Sequence, residues 1–135
     1  MRSLFPDICT ANLIESKDFY VSLFNFSVAF EIDWYIQLQS PQDEHLQIAF
    51  VAQENSSVPL AYQQKPQGVV ITIEVEDVDA IHETAKKLNM KFVQKLRDED
   101  WGQRHFMLAD PNNLLVDVVQ MIEPKPEFLK QHGLV

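Results

Sequence analysis

The stretch whose reading decides the fold is Trp101–Met121, WGQRHFMLADPNNLLVDVVQM. It reads as strand, turn, strand. Gln103–Leu108 is a short run rich in apolar and aromatic residues. Asp110-Pro111-Asn112-Asn113 is the turn, because proline presets φ after the aspartate and asparagine tolerates the left-handed conformation. Leu114–Met121 is an apolar run interrupted by one charge, Asp117. An acidic group in the middle of an apolar strand must face solvent, a partner or a polar cavity, since burying it unpaired is expensive.

Working outward, the residues before this hairpin supply a strand, a helix and another strand. Val69–Val75 (VVITIEV) is β-branched throughout most of its length. Asp77 or Asp79 caps a helix reaching about Leu88, with Ala80, Ile81, Ala85 and Leu88 on one face. Lys91–Leu96 reads as a strand and Arg97–Asp100 as a charged turn. The first half has the same order. Leu4–Thr10 is a strand, and a helix opens at Asn12 or at Glu15-Ser16 and runs through Phe24 with Phe19, Tyr20 and Leu23 as its stripe. Asn25 stands where a left-handed C-cap belongs. Strands Ser27–Ile32, Trp34–Gln39 and Leu46–Ala52 follow, the last two joined by the turn 40–44.

Both halves therefore read β-α-β-β-β, a repeat of element order without sequence identity. The fold class expected is α+β, with tandem βαβββ modules. One domain covers residues 1–123: module one is about 1–55, a polar connection occupies 54–67, and module two is about 68–123. A tail, 124–135, carries a short terminal helix that packs on the surface or on a partner subunit.

Composition narrows the function. Twenty acidic against eleven basic residues give a formal charge of −9, which disfavours nucleic acid, whose binding needs Lys and Arg to displace counterions. The same charge can attract a cation. No run of apolar residues is long enough to span a membrane, and no secretory leader is expected at the N-terminus. The single cysteine, Cys9, fits a reducing cytoplasm and reads as a buried structural thiol rather than a nucleophile. No P-loop, dinucleotide fingerprint, CxxC or Ser-His-Asp order occurs.

Several motifs stand in a fixed order. Phe19-Tyr20 is followed by Leu23-Phe24-Asn25-Phe26, and Val75-Glu76-Asp77-Val78-Asp79 precedes the second helix. Trp101-Gly102-Gln103-Arg104 leads into Asp110-Pro111-Asn112-Asn113. This pattern resembles the vicinal-oxygen-chelate superfamily, which contains glyoxalase I, extradiol dioxygenases, and fosfomycin- and bleomycin-resistance proteins. Asn25 replaces the usual glycine. The resemblance implies that each module curls into a half-open sheet around a cavity, and that metal-dependent members place His, Glu or Gln ligands there. The matching positions here are Phe5, Gln47, Val69 (after Gly68, where a histidine is usual) and Asp117. Phenylalanine and valine donate nothing, and two remaining oxygens hold a divalent ion poorly. The expectation is no metal, no cofactor and no catalytic residue, with His105 the nearest histidine to these positions.

Alternation along strands fixes which side chains share a face. If Asp117 points inward, so do Leu115, Val119 and Met121, with Gln103, His105 and Met107 on the neighbouring strand. Phe5, Asp7, Gln47, Ala49, Val69 and Ile71 are placed on the same lining. Tyr35 and Gln37 join them if Trp34, Ile36 and Leu38 form the core stripe. The polar points of this mostly apolar lining are Tyr35, Gln37, Gln47, His105 and Asp117. Trp101, at the rim, either stacks on a ligand or fills core, and Arg104 pairs with Asp98, Glu99 or Asp100. His105 beside Asp117 reads first as a satisfied polar pair and second as an oriented general base.

The resemblance is nearest to the metal-free bleomycin-resistance-type branch, in which two subunits interlock and ligand sits at the dimer interface. It implies a cytoplasmic homodimer, without nucleic-acid or membrane partners, that sequesters a cationic, antibiotic-like small molecule. The alternative is a divergent metal-dependent lyase, isomerase or dioxygenase, using Gln47, His105 and Asp117 as ligands. A third reading is a scaffold whose cavity is vestigial.

Overall fold

A computed structural model describes residues 1–135. The chain forms two compact units, residues 1–68 with 110–114, and residues 69–109 with 115–135. Each is built on an open four-stranded mixed sheet, giving the α+β architecture of two βαβββ modules.

In the first unit, strand β1 (Asp7–Thr10) lies parallel to β4 (Gln47–Ala52). Antiparallel partners β3 (Tyr35–Gln39) and β2 (Ser27–Ile32) complete the order β1-β4-β3-β2. Helix α1 (Leu13–Phe24) buries Phe19, Tyr20 and Leu23, the stripe read from the sequence. The sheet's helix side supplies Ile36, Leu38, Ile48 and Phe50, each 5% exposed or less. Burying side chains of this size stabilises the fold by about 1.5–3 kcal/mol each. Asn25 ends the helix at φ 61, as expected of a left-handed cap, and its N–H bonds back to the Val21 carbonyl. Trp34 departs from expectation. It lies in the β2–β3 turn and is partly exposed, so the core stripe is Ile36 and Leu38 without it.

The turn Asp110–Leu114 belongs to this first unit, and its polar groups explain why the motif residues stand where they do. Tyr20 Oη donates to Asp110 Oδ2 at 2.9 Å, while Asp110 Oδ1 accepts the N–H groups of Asn112 and Leu114. Asn112 Nδ2 donates to Ser16 Oγ at 2.9 Å, and Asn112 Oδ1 accepts from Thr10. Every buried side-chain polar atom has a partner. Burial, and then the adjoining Asp110 carboxylate, push the Tyr20 hydroxyl's pKa far above its ordinary value. The Tyr of Phe19-Tyr20 and the Asp of the 110–113 turn thus form a structural clasp.

In the second unit, β5 (Val70–Glu74) runs parallel to β8 (Leu115–Met121). Strands β7 (Gln103–Ala109) and β6 (Lys91–Glu99) follow in the order β5-β8-β7-β6. Helix α2 (Val78–Lys87) starts at Asp77, whose side chain accepts from the Ala80 N–H. Gln120 Oε1 takes a second free donor, the Val78 N–H, at 3.0 Å. Val78 and Ala85 of the helix pack over Phe106, Leu108, Val116 and Val118, all fully buried. Arg104 is clasped between Asp79 and Asp98, so one of its three expected partners is correct and Asp79 is new.

The extent of β6 differs from the sequence reading. Strand β6 continues through Glu99, so Arg97–Glu99 is strand rather than turn; pairing with Gln103–His105 of β7 holds this charged segment extended. The tail packs on its own unit: Ile122 N–H bonds to the Gly102 carbonyl, Lys125 N–H to Asp100, and helix α3 (Pro126–Gln131) sets Phe128 6.4 Å from Trp101. Gly102 has φ +106, and a Cβ there would come 2.8 Å from the Ile122 oxygen. Only glycine fits under this strap.

Candidate functional site

Each sheet has one face packed against its helix and one that is not. On the first sheet the register places Asp7 beside Ala49 and Gln37, and Gln39 beside Gln47. Asp7, Tyr35, Gln37 and Gln47 therefore share the face opposite α1. They form a hydrogen-bonded chain. Gln47 Nε2 donates to the Glu44 carbonyl at 2.8 Å, Gln37 Nε2 donates to Gln47 Oε1 at 2.7 Å, and Tyr35 Oη lies 3.1 Å from Gln37 Oε1 and 3.3 Å from Asp7 Oδ1. Burial, followed by the Asp7 carboxylate, raises the pKa of the Tyr35 hydroxyl. Phe5, just before β1, is half-buried.

The matching face of the second sheet carries Asp117, Val119, His105 and Met107, because Met107 pairs with Asp117 and His105 with Val119. Here the polar groups close on themselves. His105, 3% exposed, presents Nδ1 to Asp117 Oδ1 at 2.7 Å and Nε2 to Glu99 Oε2 at 2.8 Å. Ionised carboxylates can only accept, so against them both contacts are hydrogen bonds only if both ring nitrogens carry protons, which makes the ring an imidazolium between two carboxylates. Burial pulls its pKa down. The hydrogen bonds and charges of Glu99 and Asp117 together outweigh that, and the net shift is upward. The bond to His105 likewise holds Glu99 below the usual carboxylate range. Gln94 lies 3.2 Å from Nε2, and its amide oxygen, when turned toward the ring, shares that N–H with Glu99.

A ring charged in this way has no lone pair with which to accept a proton, so the arrangement is a satisfied ion cluster and not a poised general base. Glu99 and Gln94 were missed from the sequence. The signal was parity: once β6 is extended to Glu99, Arg97 pairs with His105 and Glu99 falls on the same face. Trp101 sits 6.4 Å from His105, edge to face, with Nε1 donating to Gln103 Oε1 at 2.8 Å. At 46% exposed it is not core filling.

One strand shifts by a residue against expectation. Thr72 pairs with Asp117, so Val70, Thr72 and Glu74 share its face while Ile71 and Ile73 lie with Val116 and Val118 over α2. Val69, just before β5, has the parity of Ile71 and not of Asp117. The polar residues Thr72 and Glu74 take the open face because the two isoleucines have a helix to pack against.

The four positions that the resemblance marks for metal do not suit a divalent ion. Phe5 and Val69 offer no donor. In the first unit Gln47 has its oxygen and nitrogen engaged by Gln37 and Glu44, and in the second Asp117 binds an imidazolium. No group of three His, Cys, Asp or Glu side chains is placed to hold a metal. Glu99, His105 and Asp117 fail this test because the ring stands between the carboxylates, leaving no common point for an ion.

Two open mixed sheets, each backed by one helix and presenting a face with a few placed polar groups, define a class of α+β proteins built from two βαβββ modules. The chain belongs to the Glyoxalase/Bleomycin resistance protein/Dioxygenase superfamily, whose family model matches residues 5–118. No curated protein sequence matches it. Among solved structures it is similar to TnmS3, an antibiotic-binding protein from Streptomyces sp. CB03234, with a TM-score of 0.69 and 17% identity over 90% of this chain and 96% of that one. A bleomycin resistance determinant encoded on the transposon Tn5 gives a TM-score of 0.65 at 16% identity, covering 90% and 98%. Lactoylglutathione lyase from Agrobacterium tumefaciens gives 0.68 at 11%, covering 87% and 91%. At these identities the likeness is one of fold.

Proposed function

We propose that this protein is a metal-free small-molecule-binding protein of the bleomycin-resistance type, a cytoplasmic homodimer that sequesters a cationic, antibiotic-like ligand at its dimer interface. The observation that carries this reading is the donor chemistry of the non-helical faces. The family's metal positions hold Phe5, Gln47, Val69 and Asp117, and the one acidic group among them is neutralised by His105. Asp7, Tyr35, Gln37 and Gln47 of the first sheet then serve as the orienting groups that a drug-sized ligand needs.

The charge of −9 favours a cation over an anion. Large apolar side chains left uncovered in the single chain, among them Ile32 and Leu46, support a partner subunit. No helix is long and apolar enough to cross a membrane.

The test is metal content of protein purified without chelator, followed by a thermal-shift screen of cationic aromatic compounds. Expected are sub-stoichiometric metal and a concentration-dependent rise in melting temperature with some compounds, since a ligand that binds only the folded state stabilises it. Near-stoichiometric metal that disappears in Asp117→Ala would instead establish the metal-dependent enzyme.

A further inference from the structure

The polar chain on the first sheet is one proton short. The Glu44 carbonyl can only accept, so it fixes Nε2 of Gln47 toward itself. Gln47 Oε1 must then face Gln37 Nε2, which leaves Gln37 Oε1 toward Tyr35. Asp7 Oδ1 faces the same hydroxyl from the other side. A phenol has a single proton and an ionised carboxylate has none, so Tyr35 Oη can serve either Gln37 or Asp7 but not both. No cation of the chain pairs with Asp7; every ion pair in the fold involves other acids. Beside this gap lie exposed aromatic rings, Phe30 and Trp34, with centroids 6.1 and 6.2 Å from that of Tyr35.

We infer that Asp7 and Tyr35 form the anchor for an N–H-bearing cation (an amidinium, guanidinium or primary ammonium) carried on an apolar or aromatic body. The inference rests on the ligand-trapping reading above and specifies its ligand. One N–H of the cation bonds to Asp7, the Tyr35 hydroxyl keeps its proton and donates it as a hydrogen bond to Gln37 Oε1, and the phenol oxygen accepts a second N–H. Two N–H groups on one planar cation suit two acceptors 3.3 Å apart. Phe30 and Trp34 supply apolar surface for the attached body. A quaternary ammonium has the same charge but no proton to give, so it leaves the deficit unrepaired.

Isothermal titration of the full-length protein with benzamidine and with benzyltrimethylammonium decides the matter. Expected is benzamidine binding at least about tenfold tighter than the quaternary ion, and a loss of about tenfold or more in Asp7→Asn. Tyr35→Phe lowers benzamidine affinity by a smaller factor. Asp7 is exposed, so Asp7→Asn folds as the parent does, which its melting temperature checks. Equal affinity for the two cations, benzamidine binding unchanged in Asp7→Asn, or no benzamidine binding overturns the inference. The ligand-trapping reading fails separately, if no neutral or cationic aromatic compound shifts the melting temperature at all.

Discussion

The non-helical faces of the two sheets solve the same problem in opposite ways. Each must carry polar side chains on strands whose other face is core. On the second sheet the chain supplies its own cation: His105, between Glu99 and Asp117, satisfies both carboxylates internally. On the first sheet the polar groups are amides and a phenol ending in the exposed carboxylate of Asp7, and no internal cation closes the chain. A closed cluster contributes to stability and offers little to a ligand. An open chain contributes little to stability and keeps its hydrogen-bonding capacity for something else. Element order alone, identical in the two halves, hides this division of labour.

The sharpest way to break the comparison is His105→Ala. It strands Asp117 without its cation and leaves Glu99 with Arg97 alone, and a loss of about 3–5 kcal/mol in urea unfolding is expected. A loss below about 1 kcal/mol would mean that the cluster is not closed in solution.

Smaller is Gly102→Ala, which sets a Cβ against the Ile122 carbonyl at a positive φ and loosens the strap holding Trp101 near His105. It should cost about 1–3 kcal/mol and raise the proteolytic sensitivity of residues 122–135, while ligand affinity at the first sheet stays unchanged.

The pH dependence sharpens the same contrast. The His105 pKa is raised in the folded state, so its stabilisation is complete below the ordinary value of 6.5 and is lost as pH climbs through the higher folded value. The Glu99 pKa is lowered, so its contribution is present above 4.5 and is lost as pH falls through the lower folded value. Both are in force between those ordinary values. The stability difference between the parent and His105→Gln should therefore be largest in that window and shrink as pH rises. A difference that stays flat from about pH 5 to 9 would show that the ring is not charged in the fold.

The smallest effect is expected on the open face. Gln37→Ala should change stability by less than about 1 kcal/mol, because its partners can turn to water, while weakening the ligand's hold on Tyr35. Guanidinium unfolding and calorimetry together check both halves of that statement.

Much of the fold was legible in the chain. Phe19, Tyr20 and Leu23 read as one helix stripe, Asn25 as a cap, and the apolar alternation of Ile36 and Leu38 as core, since each follows from a local period or a local φ preference. Three readings failed where the outcome depended on distant partners. Arg97–Glu99 looked like a turn because it is charged, yet pairing with β7 makes it strand. Val69 and Ile71 were given the face of Asp117, but the β5 register is set by packing on α2. Trp34 was counted as core by alternation with Ile36 and Leu38, and its place at a turn before β3 leaves it partly exposed.

By itself the sequence determined the βαβββ order of both halves, the turn at Asp110–Asn113, and the absence of donors at Phe5 and Val69. These are properties of residue types and short spacings, which local geometry fixes. Only the tertiary structure decided that His105 is held as a cation by Glu99 and Asp117, and that Asp7 has no cation of its own. Charge pairing across strands depends on register, and a one-residue change in register moves every side chain to the other face.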